Sequence, residues 1–111
     1  EDCYAGLEWV FANAASIGVD PNRIGISGAS AGAGLAAGLA LLARDRAKLN
    51  IKFQLLIYPM IDDRLKNRSH AWEVPIWTPR SNDAGWRAYL GPLFGTDNIP
   101  GYAAASRATR A

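Results

Sequence analysis

Histidine, cysteine and methionine each occur once in the 111 residues, as His70, Cys3 and Met60. A single cysteine excludes an intramolecular disulfide framework, and one cysteine with one histidine cannot build a zinc cluster. A strong charge of either sign is also lacking. Twelve Lys and Arg against ten Asp and Glu leave a formal +2, too small an excess to mark a nucleic-acid-binding surface. With 50% of residues hydrophobic and 20% charged, the composition excludes a disordered chain, and Gly and Pro follow no fixed period. The sequence opens on Glu1-Asp2 without a Met, a basic start or a signal-type apolar core, so it reads as an internal piece, expected in the cytoplasm.

One long uncharged run is present, from Ile24 to Ala43. It is long enough to cross a bilayer, and Gly34 and Gly38 lie at small-xxx-small spacing. Five glycines and two serines interrupt it, and its first residues alternate like a strand. These features favour a soluble turn over membrane insertion.

The remaining pattern alternates helix and strand. Cys3, Leu7, Val10, Ala14 and Ile17 fall at helical spacing, which would put Cys3 in the core as a small apolar residue. Asp2 suits the helix N-terminus, Gly18 a left-handed cap, and Pro21 stops continuation. Arg23 to Ser27 reads as a strand, Gly28 to Gly34 as a glycine-rich turn, and Ala31 to Lys48 as a helix. In that helix Leu35, Leu39 and Leu42 form a stripe among Ala and Gly, the composition of a helix buried close to a sheet. Ile51 to Tyr58, with its apolar Leu55-Leu56-Ile57, reads as a second strand covered on both faces. The fold class is therefore α/β: parallel strands joined by a right-handed crossover, with helices on both faces in three layers. Residues 1–62 form this core. Residues 63–111, with four of the six prolines and with Trp72, Trp77 and Trp86, read as an excursion from the sheet, with a short helix from Asn82 to Leu90 ended by Gly91-Pro92.

Gly28-Ala29-Ser30-Ala31-Gly32 matches G-x-S-x-G between a strand and a helix. Such a turn holds its serine strained and exposed, and flanking glycines remove the Cβ atoms that would collide. On this reading Ser30 is the nucleophile, Gly28 and Gly32 shape the elbow, and the Ala31 amide at the helix N-terminus helps to hold an oxyanion. The same residues also resemble the glycine loop of short-chain dehydrogenases, which would cradle an NAD(P) pyrophosphate. Against it, a whole helix precedes the loop, and Tyr58-Pro59 stands where a ribose-binding acid should appear.

Glu1 to Val10, Gly18 to Ile24, the Ser30 turn, Leu41 to Asp45, and Gln54 to Asp63 together resemble the hormone-sensitive-lipase-like (family IV) α/β-hydrolases. Trp77 to Asn82 and Gly85-Trp86 to Gly91 continue the resemblance. It implies a partial α/β-hydrolase fold with a nucleophile elbow before a buried helix, the chain being part of one catalytic domain. It implies a serine carboxylesterase or lipase acting on small-molecule esters through an acyl-enzyme, without cofactor or metal. Departures are Ala33, where the family commonly has Gly, and Ala29, where it has an acidic or polar residue. The family's His-Gly-Gly oxyanion segment precedes the matched region, and its acid and histidine follow it. His70 is accordingly expected in a solvent-facing loop, and Asp62 and Asp63 as caps or partners of Arg64. By itself the piece is expected to be inactive. A non-catalytic binding protein of the same fold is the alternative of another class. Acyl and alcohol preference and oligomeric state leave no mark in the sequence.

Overall fold

The computed structural model describes residues 1–109. The first helix, α1, spans Asp2–Asn13. Its chain then turns through Gly18 (φ 71°), where the Val19 amide donates to the Ala14 carbonyl at 2.8 Å. Pro21 opens a 3-10 turn capped by Asp20, whose carboxylate accepts from the Asn22 amide at 2.8 Å. The two strands are β1 (Ile26–Ala29) and β2 (Gln54–Ile57), separated by the long helix α2 (Ala31–Arg46). They pair in parallel, with Ile26 opposite Gln54 and Ala29 opposite Ile57.

The expected strands were Arg23–Ser27 and Ile51–Tyr58, and both are shorter or later here. Pro21–Arg23 is taken up by the capped turn, so pairing starts only where the Lys52 amide donates to the Ile24 carbonyl at 2.8 Å. The helix expected to Lys48 ends at Arg46, because Ala47 turns left-handed (φ 50°) and its amide caps the Ala43 and Arg44 carbonyls.

The first core gathers Leu7 of α1, Ile24, Ile26 of β1 and Ala36 of α2, with Val10, Phe11, Leu39 and Leu56 packed against them. Alternation in the paired strands puts Ile26 and Leu56 on this side and Leu55 and Ile57 on the other. The second side is bare: Leu55 is 55% exposed and Ile57 41%. Among the described residues α1 and α2 thus cover one face of the strand pair, and the second helical layer of the three-layer arrangement is not among them. Cys3 is exposed, contrary to the expected stripe. Tyr4, 2% exposed, is buried in its stead alongside Leu7. Helical spacing alone admits either residue beside Leu7, and the larger apolar ring removes more surface from water.

In α2 the buried residues are Ala33, Ala36, Ala37, Gly38 and Ala43, not the leucine stripe, and Leu35 is exposed. Small residues are needed because other backbone crosses the helix. A Cβ on Gly34 would collide with the Met60 carbonyl, and one on Gly38 with that of Tyr102.

After β2 the chain forms a third helix, α3 (Pro79–Leu90), three residues longer at its start than expected. Thr78 caps it by accepting from the Ser81 amide at 3.1 Å, and Pro79 occupies the first turn, a favourable N-terminal pair. Trp86, Leu90, Ile99 and Ala104 form a second core, flanked by Met60 and Phe94. No described helix is long and apolar enough to cross a membrane.

Candidate active site

Where β1 turns into α2, Ser30 has φ 54° and ψ −120°, a conformation that L side chains rarely adopt. Backbone hydrogen bonds hold it there. The Ser30 amide donates to the Ile57 carbonyl at 3.0 Å. The Ser30 carbonyl accepts from the Ala33, Gly34 and Met60 amides at 3.1, 3.2 and 3.2 Å. The strained residue is therefore fastened to its own helix and to both ends of the Ile57–Met60 segment.

Two consequences follow for the side chain and the helix end. A serine at an N-cap ordinarily accepts a hydrogen bond from the first turn, but Ser30 makes no such cap bond. Its half-buried Oγ takes no hydrogen bond among the described residues. The amides of Ala31 and Gly32, first in α2, find no backbone acceptor among them either, so they are available to an anion at the positive end of the helix dipole.

Gly28 is sterically required. A Cβ there would collide with the Gly32 carbonyl and lie 2.6 Å from the Ala33 nitrogen, both backbone. The expectation of the same role for Gly32 is corrected: a Cβ on Gly32 meets nothing within 4 Å. Gly32 already lies in the first turn of α2.

An apolar cavity of about 190 Å³ opens beside Ala31, walled by Leu35, Met60, Trp77, Trp86 and Tyr89. Of the three tryptophans after β2, Trp86 is core, while Trp77 and Trp72 remain largely exposed. His70 lies in a 3-10 turn, half-buried, with Nδ1 accepting from the Asn67 amide at 3.3 Å. It makes no hydrogen bond to Ser30.

The two aspartates part company. Asp62 pairs with Arg64 at 2.8 Å, as expected. Burial pushes its carboxyl up, but the Arg64 guanidinium and backbone amide outweigh burial and hold it below the usual carboxylate range. Asp63 does not pair with Arg64. It is 3% exposed and receives both Nε and Nη2 of Arg107, at 2.6 and 2.7 Å. Nothing in the sequence near Asp63 marks Arg107 as its partner, since a residue 44 positions away leaves no local signal.

A strand, a strained serine and a helix N-terminus thus follow one another within a few residues. Residues 1–109 match the family described as alpha/beta hydrolase fold, and the chain belongs to that family. It is similar to carboxylesterase NlhH of Mycobacterium tuberculosis, 44% identical over 78 residues, 68% of this chain and 24% of that protein. Arylacetamide deacetylase of Bos taurus is 49% identical over 67 residues, 57% of this chain and 17% of the relative. Among solved structures, a bacterial heroin esterase superposes with TM-score 0.87 at 41% identity, covering 97% of this chain and 36% of that one. Esterase LipW from Mycobacterium marinum gives 0.84 at 34% identity, covering 95% and 32%. The chain thus spans between a sixth and about a third of the length of these relatives. The family match runs through the whole glycine-rich turn and is to hydrolases, which leaves the dinucleotide-loop alternative without support.

Proposed function

We propose that the protein carrying this chain hydrolyses carboxylic esters of small molecules, with Ser30 as nucleophile and Gly28 as the residue that permits its elbow. The observation that carries this reading is the strained Ser30, whose hydroxyl is kept out of the N-cap bond a serine ordinarily makes. Similarity to proteins named carboxylesterase and heroin esterase supports the same chemistry.

In this reaction Ser30 Oγ attacks the ester carbonyl carbon while a histidine takes the hydroxyl proton. The carbonyl electron pair moves onto oxygen, and that oxyanion is met by the Ala31 amide. Collapse expels the alkoxide, which recovers the proton from histidine, leaving an acyl-serine that water cleaves by the same two steps. The family resemblance puts the histidine and acid after the matched segment, and no side chain among the described residues hydrogen-bonds Ser30 Oγ. Neither His70 nor Asp62 is assigned either role.

The test is Ser30→Ala in the complete protein, assayed on phenyl acetate. Turnover should fall by about 10⁴-fold or more, with near-UV circular dichroism unchanged. Substantial activity retained by a pure, folded Ser30→Ala protein would refute the proposal.

A further inference from the structure

A second strained residue stands beside the first. Tyr58, just past β2, has φ 37°, in the left-handed region where glycine is at home. The register explains its place. Ala29 is paired with Ile57, so the next step of the parallel ladder sets Ser30 opposite Tyr58. The Ser30 amide keeps to that ladder, donating to the Ile57 carbonyl at 3.0 Å. The Ser30 carbonyl would next accept from residue 59, but Pro59 has no N–H. The Met60 amide takes over one residue later, at 3.2 Å. Between these two bonds the chain holds one residue too many, which makes a bulge, and Tyr58 carries its turn. A bulge bends its strand and re-aims a side chain, and bulges recur next to active sites.

On structural grounds a tyrosine does not suit this position. Glycine or asparagine takes a positive φ with less strain, so a tyrosine there needs packing to offset it. Tyr58 is 75% exposed and belongs to neither apolar cluster. A strained position that holds a large, little-packed ring beside the reacting serine has the character of a residue kept for contact with what the serine attacks.

We infer that Tyr58 is a specificity residue, its ring lying against a flat aromatic group of the ester held at Ser30, a role that rests on the proposed hydrolysis. Backbones of neighbouring strands run about 5 Å apart, a gap that a tyrosine side chain spans. Offset or edge-to-face contact between rings favours an aromatic group over a saturated one of the same size. The group sits on the acyl or the alcohol side of the ester, and the probes distinguish the two.

Two pairs of esters matched in size are offered to the complete protein. Methyl phenylacetate and methyl cyclohexylacetate probe the acyl side, and benzyl acetate and cyclohexylmethyl acetate the alcohol side. Acid release gives kcat/KM for each. The parent should prefer the aromatic member of one pair. Tyr58→Gly, which removes ring and strain together, should lower that preference by about three- to tenfold, with a denaturation midpoint no lower than the parent's. Tyr58→Phe should keep the preference, because the ring and not the hydroxyl makes the contact. Should Tyr58→Gly fail to fold, Tyr58→Asn replaces it, being also at ease at positive φ. No aromatic preference in either pair, or one that survives loss of the ring, would overturn the proposal. So would clearly lower midpoints in both Tyr58→Gly and Tyr58→Asn, which would make the ring a packing element. Ser30→Ala separates the two readings. Ser30-dependent turnover with an unmoved preference sinks the specificity role alone. Turnover that is absent, or indifferent to Ser30→Ala, sinks the catalytic reading and the specificity role with it.

Discussion

The chain up to β2 and the chain after it are held together by different forces. In the first region aliphatic side chains of α1, β1 and α2 pack into one cluster, and the backbone is locked by parallel pairing and by the four hydrogen bonds at Ser30. In the second, one helix and several short turns follow each other, and the apolar cluster around Trp86 is supplemented by long-range polar ties. Arg107 grips Asp63, the Tyr102 hydroxyl donates to Asp45 at 2.8 Å, and the Ser106 amide donates to the Ile61 carbonyl at 2.9 Å. The lesson is a division of work. The region that strains a serine is rigid through its own backbone, whereas the region that walls the cavities is tied within itself by Asp63–Arg107 and Ser106–Ile61 and to the first region by the Tyr102 hydroxyl on Asp45. Those polar ties are where the second region breaks first.

The largest effect is expected at Arg107→Ala, which leaves Asp63 buried without its partner. A loss of about 3–5 kcal/mol is expected, seen as a lower denaturation midpoint. The double change Asp63→Ala with Arg107→Ala should be milder, because no unpaired charge remains. A double variant as unstable as the single one would show that the pair's geometry, not the stranded charge, is what matters.

Gly28→Ala comes next, and acts on the other region. Its methyl would meet helix backbone that has no rotamer to yield, so about 1–3 kcal/mol should be lost, together with esterase activity. Gly32→Ala, open on all sides, should keep stability within about 0.5 kcal/mol of the parent. Equal effects at the two glycines would contradict the elbow geometry.

Acid should loosen the second region, where Asp62 is held by Arg64 and Asn67. The Asp62 carboxyl is held below its usual range when folded. Its contribution is therefore complete above the unfolded value of about 4 and is lost as pH falls through the folded value. The denaturation midpoint should drop below about pH 4, and less steeply in Asp62→Asn. A slope identical in that variant would assign the acid sensitivity elsewhere.

The smallest effect lies at the end of α2. Ala47 sits left-handed where glycine is at home, and Ala47→Gly should stabilise by up to about 1 kcal/mol. A destabilisation would mean that the Ala47 methyl packs usefully.

Legibility in the sequence follows the same division. The elbow is readable because its requirements are local: a strand, two small neighbours and a helix within a few residues. The order of α1, β1, α2 and β2 is readable from periodicity, and the Thr78-Pro79 cap was available as a signal for the longer α3. What periodicity cannot resolve is a choice between adjacent residues on a helix, hence Tyr4 in place of Cys3. Nor can it show which helix face meets crossing backbone, hence the alanines and Gly38 in place of the leucines of α2. The Asp63–Arg107 pair joins chain segments brought together only by folding, and no local pattern announces it.

The central claim is that the elbow makes Ser30 the reacting atom. Its most direct test is covalent: treat the complete protein with an alkyl fluorophosphonate, digest it, and locate the modified residue by mass spectrometry. The account predicts one stoichiometric phosphonyl adduct, on the Ser30 hydroxyl, abolished by Ser30→Ala. Stoichiometric labelling of another residue, or undiminished labelling of the Ser30→Ala protein, would contradict it.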